Sequence, residues 1–445
     1  MSTIKNSFRE LLRYPSAIVG LAIIFFLLAV AVYAVIAIPY GTAVRLWRGG
    51  EDVWYQNPKY AAPAWTNFFK SKKEAISFSV NTAKGTMQKT VTPGKQGTGT
   101  TLISHSFDFQ SDDYPQEMFL YFTTTYAEKQ PFASVVWYTP DGRKIRIDDL
   151  ALEEKETLPI SQDKRLQQRL KTADVIPALF NDPKTGQILK GTYKIEVTGT
   201  TFEPNSTIDS EFVFHGTLFG LAGTDYLRRD LMLPLLWGTP VALAFGILAA
   251  LFTLVATLVI AAFGTWYGGW VDELIQRITE VNLVLPFLSI LIMVGTFYSR
   301  SIWVILGVTV LLSIFTGQIK SYRAVFLQVK ESMYIEAARA YGASDRRIIF
   351  QYLIPRMIPL LIPGLVSAVP AYVFLEASLA VLGLGDPVLP TWGKIINDAE
   401  MNGALYKGYY YWIIEPAVLL MITGFGFAML GFALDRVFNP RLRDI

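Results

Sequence analysis

Chemistry in a protein needs titratable, nucleophilic or metal-binding side chains at workable spacings, and this chain of 445 residues offers few. It has no cysteine and two histidines, His105 and His215. A disulfide framework, a thiolate nucleophile and a zinc–thiolate site are therefore excluded. Neither histidine has a second ligand at metal-motif spacing, so both read as surface or strand residues and no metal site is expected. No Gly-x-x-x-x-Gly-Lys-Ser/Thr loop occurs, so the chain cannot cradle nucleotide phosphates by itself. No nucleophile–base pair stands out in the apolar stretches, which argues against an intramembrane hydrolase and leaves no catalytic residues to name. What remains are charged residues suited to contact: Asp225, Arg229 and Asp230 ahead of one apolar run, Glu336, Asp345, Arg346 and Arg347 between two others, and Glu376 within one.

The elements that must position these residues are read from hydropathy. Hydrophobic residues make up 52% of the chain and charged residues 17%, against about 25% charged in an ordinary soluble domain. The net charge of +3, without a basic tract interleaved with aromatics, offers no surface to a nucleic acid. Residues 16–39 carry no charge, and about 20 apolar residues suffice to cross a bilayer core as a helix. A cleaved signal peptide has a shorter apolar region, so a retained helix is expected. Five further runs follow near 240–263, 275–297, 302–319, 359–382 and 411–434. Alternation then places three basic clusters on one side. They are Lys5, Arg9 and Arg13; Lys320, Arg323, Lys330, Arg339, Arg346, Arg347 and Arg356; and Arg436, Arg441 and Arg443. The positive-inside rule makes that side cytoplasmic.

The expected fold class is a polytopic α-helical membrane protein with six transmembrane helices, multi-pass in the cell (inner or plasma) membrane, both termini cytoplasmic. Residues 1–15 form a cytoplasmic segment, 16–39 the first span, 231–434 the remaining five helices, and 435–445 a cytoplasmic tail. Between the first and second spans, residues 40–230 form a β-rich extracytoplasmic domain of about 190 residues, large enough for its own core. Residues 74–80 and 193–197 alternate polar and apolar side chains, while 118–125 and 133–138 are rich in aromatic and β-branched residues. Thr139-Pro-Asp-Gly142 is a turn signal between two strand-like runs. One charged helical patch is expected near 161–170, and an antiparallel sandwich is the best overall description. Asn205-Ser206-Thr207 fits a glycosylation sequon, or is simply a loop where the cell does not glycosylate.

The most informative stretch runs from Tyr334 to Pro355, in the basic segment between the fourth and fifth apolar runs, within a loop at about 329–355. Glu336–Tyr341 favours helix. Ala337 and Ala338 allow a partner close to the backbone. Gly342 permits the left-handed conformation that ends a helix, Ser344 or Asp345 can cap the next, and Arg346 and Arg347 can meet acidic groups. Glu336-Ala337-Ala338, Gly342 four residues on, and Ile354-Pro355 ending thirteen residues after the glycine together resemble the EAA loop of ABC importer permeases. Further segments are similar to the dipeptide/oligopeptide branch: Gly223-Thr-Asp225 with Arg229-Asp230, Tyr267-Gly-Gly-Trp-Val-Asp272 with Arg277 and Pro286, Leu375-Glu376 with Leu382-Gly-Leu-Gly385 and Pro390-Thr-Trp-Gly393, and Asn439-Pro-Arg441. Arg228 stands where that branch has glycine. The likeness covers about 5–40 and 215–445, and leaves the long insert outside it.

That resemblance implies the type I ABC importer permease fold and a transport subunit without catalysis of its own. The implied partners are a second homologous permease, two ATP-binding subunits that bind ATP and magnesium, and an extracytoplasmic solute-binding protein, all around a lipid bilayer. The short helix at Glu336 would sit in an ATPase cleft and pass its closure to the spans. Dipeptides or oligopeptides are the implied cargo, although the same class carries oligosaccharides and nickel chelates. The insert would dock the binding protein, cover the pore mouth or bind ligand. A rival from another class, a membrane-anchored receptor with an outer sensing domain, explains the insert but not the loop spacing. Glu376 reads either as a cavity-facing or gating carboxylate near the outer mouth or as a packing carboxyl bonded to a neighbouring span. Asp225, Arg229 and Asp230 read as a salt-bridged turn. Trp392, Tyr409–Tyr411 and Trp412 suggest an interfacial aromatic belt, and Gly424-Phe-Gly426 suggests close helix packing.

Overall fold

In the computed structural model, which describes residues 10–94 and 98–438, the uncharged run after Tyr14 forms helix α1, Pro15–Ala37. Pro15 opens it, where a missing N–H costs nothing, and it stops at Ile38, which turns extended before Pro39. Helix α2, Tyr40–Arg48, follows. Lys5, Arg9, Asn439, Arg441 and Arg443 lie outside the described residues. The chain divides into two compact units, one of Met1–Arg48 with Leu233–Ile445 and one of Gly49–Met232.

The unit Gly49–Met232 is a two-sheet sandwich. Its strands are β1 (Phe78–Asn81), β2 (Gln88–Pro93), β3 (Gly99–Phe109), β4 (Glu117–Thr125), β5 (Phe132–Tyr138), β6 (Lys144–Ala151) and β7 (Lys155–Pro159). Helices α3 (Lys164–Leu170) and α4 (Val175–Phe180) precede β8 (Gly191–Thr201) and β9 (Thr207–His215). One sheet has the order β1-β9-β4-β7 and the other β2-β3-β8-β5-β6, with these neighbours antiparallel throughout. Period-two alternation sets the faces: Met118, Leu120 and Phe122 of β4 meet Tyr193, Ile195 and Val197 of β8 in one buried core. Trp137, Phe180, Phe212 and Phe214 fill the space between. The turn between β5 and β6 closes through Thr139 and Arg143, with Gly142 at φ +84°. The charged helical patch is shorter than the sequence suggests, because Asp163 accepts from the Leu166 N–H at 2.7 Å and caps α3 there.

The other unit continues with α5 (Met232–Tyr267), α6 (Gly269–Val284), α7 (Phe287–Phe297), α8 (Ile302–Ile314), α9 (Gly317–Lys330), α10 (Met333–Ala340) and α11 (Asp345–Ile348). A π-helical turn leads into α12 (Ile354–Leu379), followed by α13 (Trp392–Met401), α14 (Ala404–Lys407) and α15 (Tyr411–Phe438). Among the described residues, four helices are long and apolar enough to cross a membrane, and up to six if two bent pairs each count as one span. The runs expected at 275–297 and 302–319 are the bent ones, turning by 78° between α6 and α7 and by 47° between α8 and α9. Pro286 explains the first break, since it removes a helical donor and drives Leu285 to an extended conformation. At the second, the carbonyls left by α8 find side chains. Asn282 donates to Leu312 and Phe315 at 2.8 and 2.7 Å, and Thr257 to Ile314 at 3.0 Å.

Close packing holds the first helix to the last. A Cβ on Gly20 would lie 2.8 Å from the Gly426 carbonyl oxygen, so α1 and α15 touch backbone to backbone. The belt expected at Trp392 and Trp412 is corrected here: both indoles are fully buried. Trp392 donates from Nε1 to the Leu235 carbonyl at 3.0 Å, so the ring is a packing element. The exposed tryptophans of this unit are Trp270 and Trp303.

Candidate functional site

The loop around Glu336 is a helix with two distinct faces. In α10, Ile335 and Ala338 are buried, whereas Met333, Tyr334, Glu336 and Ala337 face outward. Only Ala337 therefore offers the close backbone approach read into both alanines, because Ala338 packs against the core. Gly342 ends the helix at φ +76°. Its N–H reaches Arg339 O at 2.9 Å and the Ala343 N–H reaches Ala338 O at 3.0 Å, the bond pair of a Schellman cap. Tyr341 is thereby thrust out at 92% exposure. Ser344 precedes α11 without a side-chain cap, and Asp345, Arg346 and Arg347 are exposed, with Arg347 donating to Gln351 at 3.0 Å.

The inner face of this loop grips the end of α5. Ile335, Ala338, Ile348, Ile349 and Leu353 share one core with Leu258, Ala262 and Trp266. The Arg339 guanidinium lies 4.4 Å from the centre of the Trp266 ring. Lys330 donates to the carbonyls of Thr265 and Trp266 at 2.9 and 3.0 Å, a cation at the negative end of the helix. The loop and α5 thus form one mechanical piece. Sequence reasoning passed over Trp266, Lys330 and Arg339 in this role. The available signal was a tryptophan at the end of an apolar run.

Asp225, Arg229 and Asp230 come together in a turn. Asp225 accepts from the backbone of Leu227 and Arg229 at 2.9 Å each, and from Arg229 Nε at 2.5 Å. Asp230 accepts from the Met232 N–H at 2.9 Å, where α5 begins. Thr224 ties this turn to the chain before the sandwich, donating to Pro58 O at 2.8 Å and accepting from the Ala61 N–H at 3.0 Å.

Beside it lies a cluster that the sequence did not announce. Arg228 holds φ +64° and its side chain is 8% exposed. It donates to Glu117 at 2.7 Å and to Asn57 O at 2.9 Å, and its Nη1 lies 3.1 Å from His215 Nδ1. His215 Nε2 donates to Tyr55 O at 3.0 Å. Contact with His215 and the Arg228 guanidinium outweigh the desolvation of Glu117 and hold its carboxyl down at about 2. The one hint in the sequence was an arginine at a glycine position.

Glu376 is buried in α12, facing the Thr391 hydroxyl with Asp386 nearby. Asp386 in turn accepts from the Ile302 N–H at 2.9 Å, at the start of α8. Among the described residues no group of three or more His, Cys, Asp or Glu is placed to hold a metal ion.

A unit of apolar helices with an outward-facing loop helix packed on the end of α5 fits the architecture of a transport permease. Residues 254–444 match the family described as binding-protein-dependent transport system inner membrane component. The oligopeptide transport system permease protein OppC of Bacillus subtilis (strain 168) is 30% identical over 227 residues, 50% of this chain and 72% of that protein. The dipeptide transport system permease protein DppC of the same strain is 29% identical over 222 residues, 50% of this chain and 68% of that protein. The glutathione transport system permease protein GsiD of Pectobacterium atrosepticum is 29% identical over 225 residues, 50% of this chain and 73% of that protein. The chain belongs to this family, as a peptide-type ABC importer permease of the inner membrane.

Proposed function

We propose that this chain forms half of the translocation pathway of an ATP-driven importer of small peptides and couples that pathway to ATPase subunits. Its membrane unit crosses six times, each bent pair serving as one span, with both termini cytoplasmic. The unit Gly49–Met232 then lies on the extracytoplasmic side and serves as a scaffold or docking domain for a solute-binding protein. The other partners are a second homologous permease and two ATP-binding subunits, which supply the nucleotide and magnesium chemistry. Peptide cargo is favoured because the relatives are named for dipeptide, oligopeptide and glutathione transport.

One observation carries the coupling role. The helix α10 shows Met333, Tyr334 and Glu336 outward while its other face is fused to the end of α5. A force applied to the outward face therefore reaches a 36-residue helix without an intervening hinge. Glu336, Ala337, Gly342, Asp345, Arg346 and Arg347 are assigned to that contact, with Ala338 as its anchor. Alternating access follows when ATP-driven closure of the ATPase pair draws two such loops together. Asp225, Arg229 and Asp230 are assigned to the structure of the turn. Glu376, enclosed and faced by Thr391, fits a packing carboxyl better than an open gate.

The test is co-purification of the tagged chain from membranes, with ATPase and peptide-uptake assays on Gly342→Val and Glu336→Lys beside wild type. Recovery of a second permease and ATPases with the wild type, and uptake lost in both variants, is the expected result. A wild-type chain that purifies without any ATPase would overturn the reading.

A further inference from the structure

We infer that the sandwich unit carries a membrane-interface wedge, built from Trp65, Phe68, Phe69 and Leu221 and flanked by Lys70, Lys72 and Lys73, that rests in the headgroup region of the bilayer. Phe68, Phe69 and Leu221 are 85%, 84% and 68% exposed, the three most exposed large apolar side chains of the described residues in this unit. They lie together. The Ala64 N–H donates to Gly220 O and Trp65 Nε1 to Leu221 O, each at 2.9 Å. The rings of Trp65 and Phe69 pack edge to face with centres 6.3 Å apart.

The exposure is built into a braced loop. Asn67 Nδ2 donates to Glu74 O and Asn67 Oδ1 accepts from the Glu74 N–H, both at 3.0 Å. Lys70 bridges Glu74 at 2.5 Å, and Lys73 donates to Asn67 O at 2.8 Å. A backbone fixed this firmly holds two phenyl rings in the open, where apolar surface is unfavourable in water. A large exposed apolar patch on such a frame marks a contact surface.

Three features favour lipid over a folded partner as the occupant. The two phenyl rings protrude from the surface, which suits a fluid phase that closes around them. Tryptophan and phenylalanine beside lysines is the composition of interfacial anchors, with the apolar rings in the acyl boundary and the ammonium groups among phosphates. The chain also tethers the patch to an apolar helix long enough to cross a membrane. Leu221 stands eleven residues before Met232, where the long apolar helix α5 starts, a reach of at most about 40 Å.

The natural absence of cysteine makes the test direct. Phe68→Cys and Phe69→Cys, with Thr185→Cys on an exposed turn as the aqueous control, are spin-labelled in the full-length chain. The protein is held in nanodiscs of phosphatidylcholine and phosphatidylglycerol. Collision of the label with oxygen, which concentrates in lipid, is compared with collision with a water-soluble nickel chelate. The expected result is a several-fold shift toward oxygen at positions 68 and 69 relative to 185. A nickel accessibility equal to that at 185 would place the rings in water and overturn the inference. Low accessibility to both reagents would show a protein covering the patch, and would overturn it equally.

Discussion

Gly342 and Arg228, two of the residues that adopt the left-handed backbone conformation, do so by opposite means. Gly342, in the membrane unit, reaches φ +76° with no side chain, and a Cβ there would meet nothing within 4 Å. Arg228, in the sandwich unit, reaches φ +64° despite its side chain, against a cost of roughly 1 kcal/mol for a non-glycine residue. Its guanidinium offsets that cost by bonding Glu117 and Asn57 in a buried pocket. The first turn is exposed and generic, free to be touched by a partner. The second is enclosed, joining residues 111 positions apart. One conformation can thus serve contact in one region and internal bracing in the other.

The largest expected effect tests whether Gly342 acts through its backbone. Gly342→Val should reduce peptide uptake by more than tenfold, because a β-branched residue is an outlier in the left-handed region. Gly342→Asn, which tolerates that region, should keep most of it. Uptake in proteoliposomes decides the matter. An asparagine variant as inactive as the valine variant would move the requirement from the turn's conformation to the space above it.

The second expected effect lies in the sandwich unit. Glu117→Ala leaves the enclosed Arg228 guanidinium with only the Glu51 carboxylate, 3.5 Å from its Nε, and removing one partner of a buried pair costs at most about 3 kcal/mol here. Arg228→Gly should destabilise less than Arg228→Ala, by about 1 kcal/mol, because glycine relieves the backbone while both lose the same bonds. Thermal unfolding of the sandwich unit within the full chain, followed by hydrogen exchange, separates them. Equal losses for glycine and alanine would mean that the turn carries no strain.

The same pair fixes a pH dependence. The carboxyl of Glu117 falls from an ordinary 4.5 to about 2 on folding. A lowered folded-state value means stability that is complete above the unfolded value and lost as pH falls toward the folded one. The gap corresponds to roughly 3 kcal/mol as an upper bound. The stability difference between wild type and Glu117→Gln should therefore be full at pH 7 and shrink between about pH 5 and 2. A difference that stays constant over that range would remove the charge from the account.

How much of this was legible beforehand follows from the range of the interactions. The turn at Thr139–Gly142, the alternation through Tyr193–Val197 and the break at Gly342 are local patterns, and each is written in a few consecutive residues. Arg228 could not be read the same way, because Glu117 and His215 reach it only after β4 and β9 have paired. Trp392 shows the opposite failure. A tryptophan beside an apolar run looks interfacial until the Leu235 carbonyl takes its N–H. Hydropathy located the third and fourth apolar runs but was blind to their bends, since a bent pair and a straight span have the same composition. Pro286 carried the signal for one bend, and nothing as local carried it for the other.

That second bend supplies the smallest expected effect. Asn282 on α6 donates to two carbonyls at the end of α8, groups that no helical N–H can reach because α9 starts in a new direction. Asn282→Ala would leave both unpaired in an apolar setting. The loss should be about 1–2 kcal/mol, limited because an unfolded chain in lipid also finds partners for such groups. Asn282→Gln, longer by one methylene, should recover part of it. Melting of the detergent-solubilised protein is the measurement. If alanine melts with wild type, the bend is held by the Asp272–Arg323 pair between α6 and α9, and the amide is only a bystander at a joint fixed elsewhere.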